Sequence, residues 1–79
     1  MSAAEDLTSV VRLLVDEPRA VKVVGIDEAG GVRLDLSVAV SDRGKVIGRR
    51  GRTIDALRAL AAARGAQDGR SDAVEVLDD

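Results

Sequence analysis

The stretch Val46-Ile47-Gly48-Arg49-Arg50-Gly51-Arg52-Thr53-Ile54 limits the possible folds of this chain more than any other. Two glycines bracket two arginines, and a helical apolar pattern resumes at once. Gly48 suits a helix C-cap with positive φ, and Gly51 gives either φ freedom or room for close approach of a ligand. The stretch therefore reads as a tight turn between two helices. Five cations (Arg43, Lys45, Arg49, Arg50, Arg52) and no acid lie between Arg43 and Arg52, while the chain as a whole carries −2, so the remainder carries −7. Positive charge is concentrated at this turn. A helix start leaves backbone N–H groups unpaired and its dipole favours an anion, so the turn is suited to a phosphate backbone.

The flanking sequence supplies the other elements. Ser2-Ala3-Ala4-Glu5 has capping-box spacing, with Glu5 and Asp6 suited to a first helical turn. Leu7, Val10, Val11 and Leu14 follow at i, i+3, i+4, i+7, which is the stripe of a core-packed helix. Pro18 ends it, with a boundary expected near Asp16. Ala20 to Ile26 is Val/Ile-rich and reads as a strand whose alternation slips at Val23-Val24. From Val32 to Val40 the alternation is strict, predicting a strand with Val32, Leu34, Leu36, Val38 and Val40 on its buried face. The intervening Asp27 to Gly31 is short enough for a hairpin, so these two strands are expected to be antiparallel neighbours.

Ser41 or Asp42 is a candidate cap for a short second helix reaching Ile47. In the third helix Ile54, Leu57, Leu60 and Ala61 share a face opposite Arg52, Asp55 and Arg58. Gly65 is a candidate stop, residues 65–71 read as loop, and Ala73 to Leu77 as a last strand, with Asp78 and Asp79 expected to fray. The order is α-β-β-α-α-β: an α+β fold, a single domain over residues 1–79, with a three-stranded sheet covered on one face by helices. The last strand follows two helices and can return parallel to a neighbour.

Composition narrows the function. The chain has no Phe, Tyr or Trp, so bases cannot stack on aromatic platforms. It has no Cys or His, which excludes disulfides, thiolate or Cys/His zinc sites, cysteine nucleophiles and histidine bases. No metal or cofactor is expected, and no enzymatic activity: acid pairs such as Asp16-Glu17 and Asp27-Glu28 lie beside turns, where solvated carboxylates are the ordinary reading. No segment resembles a membrane span or a signal peptide, so a cytoplasmic location is expected.

The glycine spacing and the element order together resemble a KH domain of type II arrangement, with Gly48-Arg49-Arg50-Gly51 as its GXXG loop. Its length, its helical opening and the run Gly44-Lys45-Val46-Ile47-Gly48-Arg49-Arg50-Gly51 resemble the KhpA family of small bacterial KH proteins in particular. The resemblance covers essentially the whole chain. It implies single-stranded RNA binding, with the loop clamping the backbone of about four nucleotides and the bases lying along an adjoining groove. By position, Gly48, Arg49, Arg50 and Gly51 form the clamp, Ile47 and Ile54 flank it, and Lys45 and Arg52 add charge. It further implies a role as RNA chaperone or post-transcriptional regulator linked to cell elongation and division. The partners it implies are a second copy of the chain or a larger KhpB/Jag-like protein.

Other readings compete. A Walker loop is excluded by the wrong glycine spacing and by Arg52-Thr53 standing where a Lys-Ser/Thr pair is required, and a dinucleotide fingerprint by the absence of glycines at its first and third positions after a strand. A DNA-binding helix-turn-helix is opposed by the shortness of the first helix and by the strands around the pair. Ile47 and Ile54 suit the core as well as a groove wall, and Gly44 suits relief of packing against the sheet. Arg12, Arg19, Lys22, Arg33, Arg58, Arg64 and Arg70 read as solubility charges. Ala59, Ala61, Ala62 and Ala63 permit close helix approach, so an assembly module is the alternative function; high helix propensity explains them equally.

Overall fold

A computed structural model describes residues 2–77. The elements are α1 (Ala3–Leu14), β1 (Lys22–Glu28), β2 (Gly31–Ser37), α2 (Arg43–Ile47), α3 (Arg52–Gln67) and β3 (Ala73–Val76), with 3-10 turns at Pro18–Ala20, Val40–Asp42 and Arg49–Gly51. The order is the α-β-β-α-α-β read from the sequence. The sheet runs β1-β2-β3, antiparallel between β1 and β2 and parallel between β2 and β3. Asp78 and Asp79, expected to fray, lie outside the described residues.

The capping box forms: Ser2 Oγ accepts from the Glu5 N–H at 3.1 Å, and Glu5 Oε1 accepts from the Ser2 N–H at 3.3 Å. Leu7 and Val11 are buried, but α1 stops at Leu14 rather than Asp16, leaving Leu14 40% exposed. The reason lies far away in sequence. The N–H groups of Asp16 and Glu17 donate to the carboxylate of Asp42, at 3.1 and 3.0 Å, and so leave the helix.

Strand β1 begins two residues later than expected, because Pro18 opens a 3-10 turn through Ala20. The register sets Val23 opposite Leu36 and Val24 opposite Asp35, so Val23 faces the helices and Val24 the outer face. That explains the slip at Val23-Val24 in the alternation. Strand β2 ends at Ser37, and a 3-10 turn follows. Leu34, Leu36 and Val38 are buried as expected, but Val40 lies in that turn and is 70% exposed.

Leu34, Leu36 and Val74 meet Leu7, Val11, Val46, Ile54, Leu57 and Ala61 in one core between the helices and a single sheet face. Each large aliphatic side chain there contributes about 1.5–3 kcal/mol through burial. Three further expectations for the helices need correction. Leu60 is half exposed, because Ile54, Leu57, Ala61 and Gly65 form the buried line of α3. Gly65 does not stop the helix, which runs on to Gln67; its missing side chain makes room for Asp72, whose Cγ would lie 2.7 Å from a Cβ there. Gly44 relieves no packing, since a Cβ on it would meet nothing within 4 Å. Among the described residues no helix is long and apolar enough to cross a membrane.

Candidate nucleic-acid interface

Helix α2 is one turn long, and its end is set by Gly48, whose N–H donates to the Gly44 carbonyl at 2.8 Å. Gly48 takes φ 76°, ψ 171°, a region essentially reserved for glycine. The chain then makes a single 3-10 turn. The Gly51 N–H donates to the Gly48 carbonyl at 3.1 Å, and Arg50 (φ 58°, ψ 26°) and Gly51 (φ 72°, ψ 15°) are both left-handed. A non-glycine residue in that region costs roughly 1–2 kcal/mol. The cost at Arg50 is borne by a turn held from both sides, and it turns the Arg49 and Arg50 side chains out to solvent.

The charges at the turn differ in their surroundings. Arg33, Lys45, Arg58, Arg64 and Arg70 each sit in an ion pair. Arg49, Arg50 and Arg52 are exposed and make no ion pair among the described residues. Their charge is uncompensated.

Lys45 stands apart from these three. Its Nζ is 2.6 Å from Asp16 Oδ2 and 3.6 Å from Asp42 Oδ1. The hydrogen bond to Asp16 is the main reason its pKa lies above the usual lysine value, with Asp42 adding to it. Ile47 is 43% exposed beside the turn, whereas Ile54 is in the core and braces α3 from beneath. Gly48 and Gly51 are half-buried.

Asp42, read from sequence as a cap for α2, makes no capping hydrogen bond. Its carboxylate is fully buried and accepts the two N–H groups of the Asp16-Glu17 turn, with Lys45 nearby. The Asp16 N–H is the largest cause of its lowered pKa; desolvation opposes it, and the Glu17 N–H and Lys45 reinforce it. Asp42 thus ties α2 to the end of α1. The sequence carried one signal of this, an Asp-Lys pair three residues apart in an otherwise acid-free cationic run.

A family model described as "KhpA/KhpB, KH domain" matches residues 4–76. The chain is 46% identical over 76 residues to the RNA-binding protein KhpA of Leifsonia xyli subsp. xyli, spanning 96% of this chain and 97% of that one. It is 40% identical over 75 residues to the RNA-binding protein KhpA of Bacillus subtilis, spanning 94% and 93%. It is 33% identical over 75 residues to the RNA-binding protein KhpA of Chlamydia trachomatis, spanning 95% and 96%. Among solved structures, a point variant of Era from Aquifex aeolicus bound to GDP and aluminium fluoride superposes with a TM-score of 0.67 at 19% identity. That match takes in 94% of this chain and 29% of Era, and it concerns the fold alone.

Proposed function

The chain belongs to the KhpA/KhpB KH-domain family, and from that premise we propose that it binds single-stranded RNA by closing the Gly48–Gly51 turn on the phosphate backbone. The observation that carries this reading is the exposure of Arg49, Arg50 and Arg52 without ion pairs, on a turn whose backbone is strained into shape before any ligand arrives. Arginine forks make charge-assisted hydrogen bonds to phosphate oxygens. Ile47 provides an apolar wall beside the clamp, Ile54 supports it from the core, and Lys45 adds charge at one side. Without aromatic side chains, bases pack on aliphatic groups and pair with backbone. Weak, sequence-tolerant binding of this kind suits an RNA chaperone or post-transcriptional regulator acting in the cytoplasm.

The test is the double substitution Arg49→Asp/Arg50→Asp, which keeps both glycines. RNA crosslinking in cells and fluorescence anisotropy with a labelled oligoribonucleotide are expected to show at least about tenfold weaker binding, the loss of two charge-assisted contacts. A folded variant that binds RNA as the parent does would refute the proposal.

Assembly with a second copy, or with a KhpB/Jag-like partner, is a second reading favoured by one observation. Leu60 is 55% exposed on α3, beside a shallow apolar groove shared with Ala3, Leu7 and Val10 of α1. Light scattering at high micromolar concentration checks self-pairing, and a strict monomer counts against it. Two weak sites joined in one assembly gain effective concentration, so the two readings are compatible.

A further inference from the structure

We propose that the free edge of β1 is a docking surface for a second copy of this chain. Two copies join antiparallel along Lys22–Glu28, about a two-fold axis at Gly25, into one six-stranded sheet. This goes beyond the RNA-binding reading, does not depend on it, and uses a surface separate from the α1–α3 groove.

The sheet order β1-β2-β3 leaves β1 paired on one side only. The ladder decides which of its backbone groups face outward. The Leu36 carbonyl accepts from the Leu77 N–H, so Leu36 directs its backbone groups toward β3 and Asp35 directs its own toward β1. Val24 is the partner of Asp35, and backbone direction alternates along a strand. Lys22, Val24, Ile26 and Glu28 therefore bond to β2. Val23, Gly25 and Asp27 turn three N–H and three C=O groups to the open edge, and no hydrogen bond takes up any of the six among the described residues. Such edges are commonly guarded by a proline, a bulge or a very short strand. Strand β1 has seven residues, none of them proline, in unbroken register with β2. Asp27, the charge on its helix-side face, lines a cleft with Arg64 and Arg70 of its own chain.

In one register the strand is complementary to itself. With the axis at Gly25, all seven residues pair with the second copy. Lys22 stands opposite Glu28 twice, and Val24 opposite Ile26 twice, all on the outer face of the sheet. These are the non-hydrogen-bonded positions of the new ladder, where side chains approach most closely. Moving the axis to Val24 sets Lys22 against Ile26, and moving it to Ile26 sets Glu28 against Val24. Either shift loses both charge pairs and shortens the overlap to five residues. The groups involved stand ready: Lys22 is exposed and makes no ion pair among the described residues. Val24 is 44% exposed. Glu28 gives Oε2 to Arg33 at 3.1 Å and keeps Oε1 for a second cation. At the axis the exposed Gly25 puts no side chain between the strands. In the joined sheet the two β3 edges lie at opposite ends, five strand spacings or about 24 Å apart.

The experiment is sedimentation equilibrium on the parent, Lys22→Glu, Glu28→Lys and an equimolar mixture of the two variants. Interference optics are used because the chain has no aromatic residue. The parent is expected to dimerise at high micromolar concentration. Each variant alone turns two attractive pairs into two repulsive ones, so its self-association is expected to weaken at least about tenfold. In the mixture each reversed charge meets the other and the native pair is kept, so association returns to the parent's level. The axis is tested separately with Gly25→Cys, in a chain that has no other cysteine. Opposed residues there bring their Cα atoms about 5.5 Å apart, within disulfide reach, so oxidised glutathione is expected to crosslink the dimer. Val23→Cys is expected not to crosslink, because its two copies lie about 14 Å apart across the axis. The proposal is overturned if the parent stays monomeric, if the mixture associates no more tightly than either variant alone, or if Gly25→Cys crosslinks no faster than Val23→Cys. It is equally overturned if Leu60→Glu abolishes self-association while both charge variants leave it unchanged, which would place the contact at the α1–α3 groove.

Discussion

The two glycines of the turn have different jobs, and Gly48→Ala against Gly51→Ala separates them. At Gly48 the backbone lies at φ 76°, ψ 171°, where any L side chain costs of order 1–3 kcal/mol. A Cβ there would also collide with Thr53 Oγ1 and lie 2.7 Å from Thr53 Cβ and 2.9 Å from the Thr53 nitrogen. A hydroxyl can rotate away; Cβ and backbone nitrogen belong to the first turn of α3 and cannot. Relief requires α3 to shift, an overpacking cost of about 1–3 kcal/mol. The sum is about 4 kcal/mol, against roughly 4–12 kcal/mol for a domain of this size. At Gly51 a Cβ meets only Ile54 Cγ2 at 3.9 Å, in an ordinary left-handed conformation, so the cost is about 1–2 kcal/mol. Gly48→Ala is therefore expected to melt roughly 15 °C or more below the parent, at about 4–8 °C per kcal/mol. Gly51→Ala is expected to fall by less than half of that. The chain has no aromatic residue to report by fluorescence, so the assay is urea and thermal unfolding followed by far-UV circular dichroism. Adding Thr53→Ala to Gly48→Ala removes the hydroxyl and the methyl but leaves Cβ and the backbone nitrogen in place, and should recover only part of the loss. Equal losses at the two glycines, or full recovery in the double variant, would refute the reasoning.

Two other substitutions probe the buried aspartates. Gly65→Ala would improve helix propensity by about 1 kcal/mol in isolation. Here its Cβ would lie 2.7 Å from Asp72 Cγ and 3.1 Å from the Arg70 carbonyl, so a net loss of about 1–2 kcal/mol in urea unfolding is expected, and a gain would contradict the packing described. Asp42 has its pKa held below the ordinary 3.8 in the folded protein, chiefly by the Asp16 N–H. Its stabilising effect is therefore complete above the unfolded-state value and fades as pH falls from about 4 through the folded-state value. Asp42→Asn is expected to be less stable than the parent at pH 7, with the gap narrowing in acid; a gap constant from pH 7 to pH 2 would show that Asp42 does not titrate as described.

What could be read from the sequence was whatever local chemistry determines. The capping box, the hairpin, the positive φ at Gly48 and the element order each depend on residues a few positions apart. Several of the errors have a partner distant in sequence. Helix α1 ends early because a carboxylate 26 residues away takes its next N–H groups. Gly65 reads as a helix stop because nothing near it shows that Asp72 needs its space, and Asp72 is itself held by the Val32 N–H, 40 residues away. Val40 continues a perfect alternation, yet the strand has already ended and the chain has turned toward α2. Arg58 reads from the sequence as one solubility charge among seven; in the fold β3 returns beside it, and its Nε donates to the Val74 carbonyl at 3.5 Å.

The same distinction applies to the charge of the clamp, where it yields a measurable number. Along the sequence the turn region holds five cations. In the fold Lys45 is bound to Asp16 and Asp42, and Arg43 has interactions of its own. Three arginines remain to displace counterions from RNA. For single strands the slope of log K against log salt is about −0.7 per phosphate neutralised, so three contacts give about −2 and five would give about −3.5. Anisotropy titrations on an oligouridylate across a range of KCl concentrations distinguish the two. A slope near −3.5 would mean that Lys45 and Arg43 give up their partners when RNA binds, and that the clamp assembles on its ligand. A slope near −2 means that the network around Asp42 persists in the complex, and that its work is to hold α2 still while Arg49, Arg50 and Arg52 make the contacts.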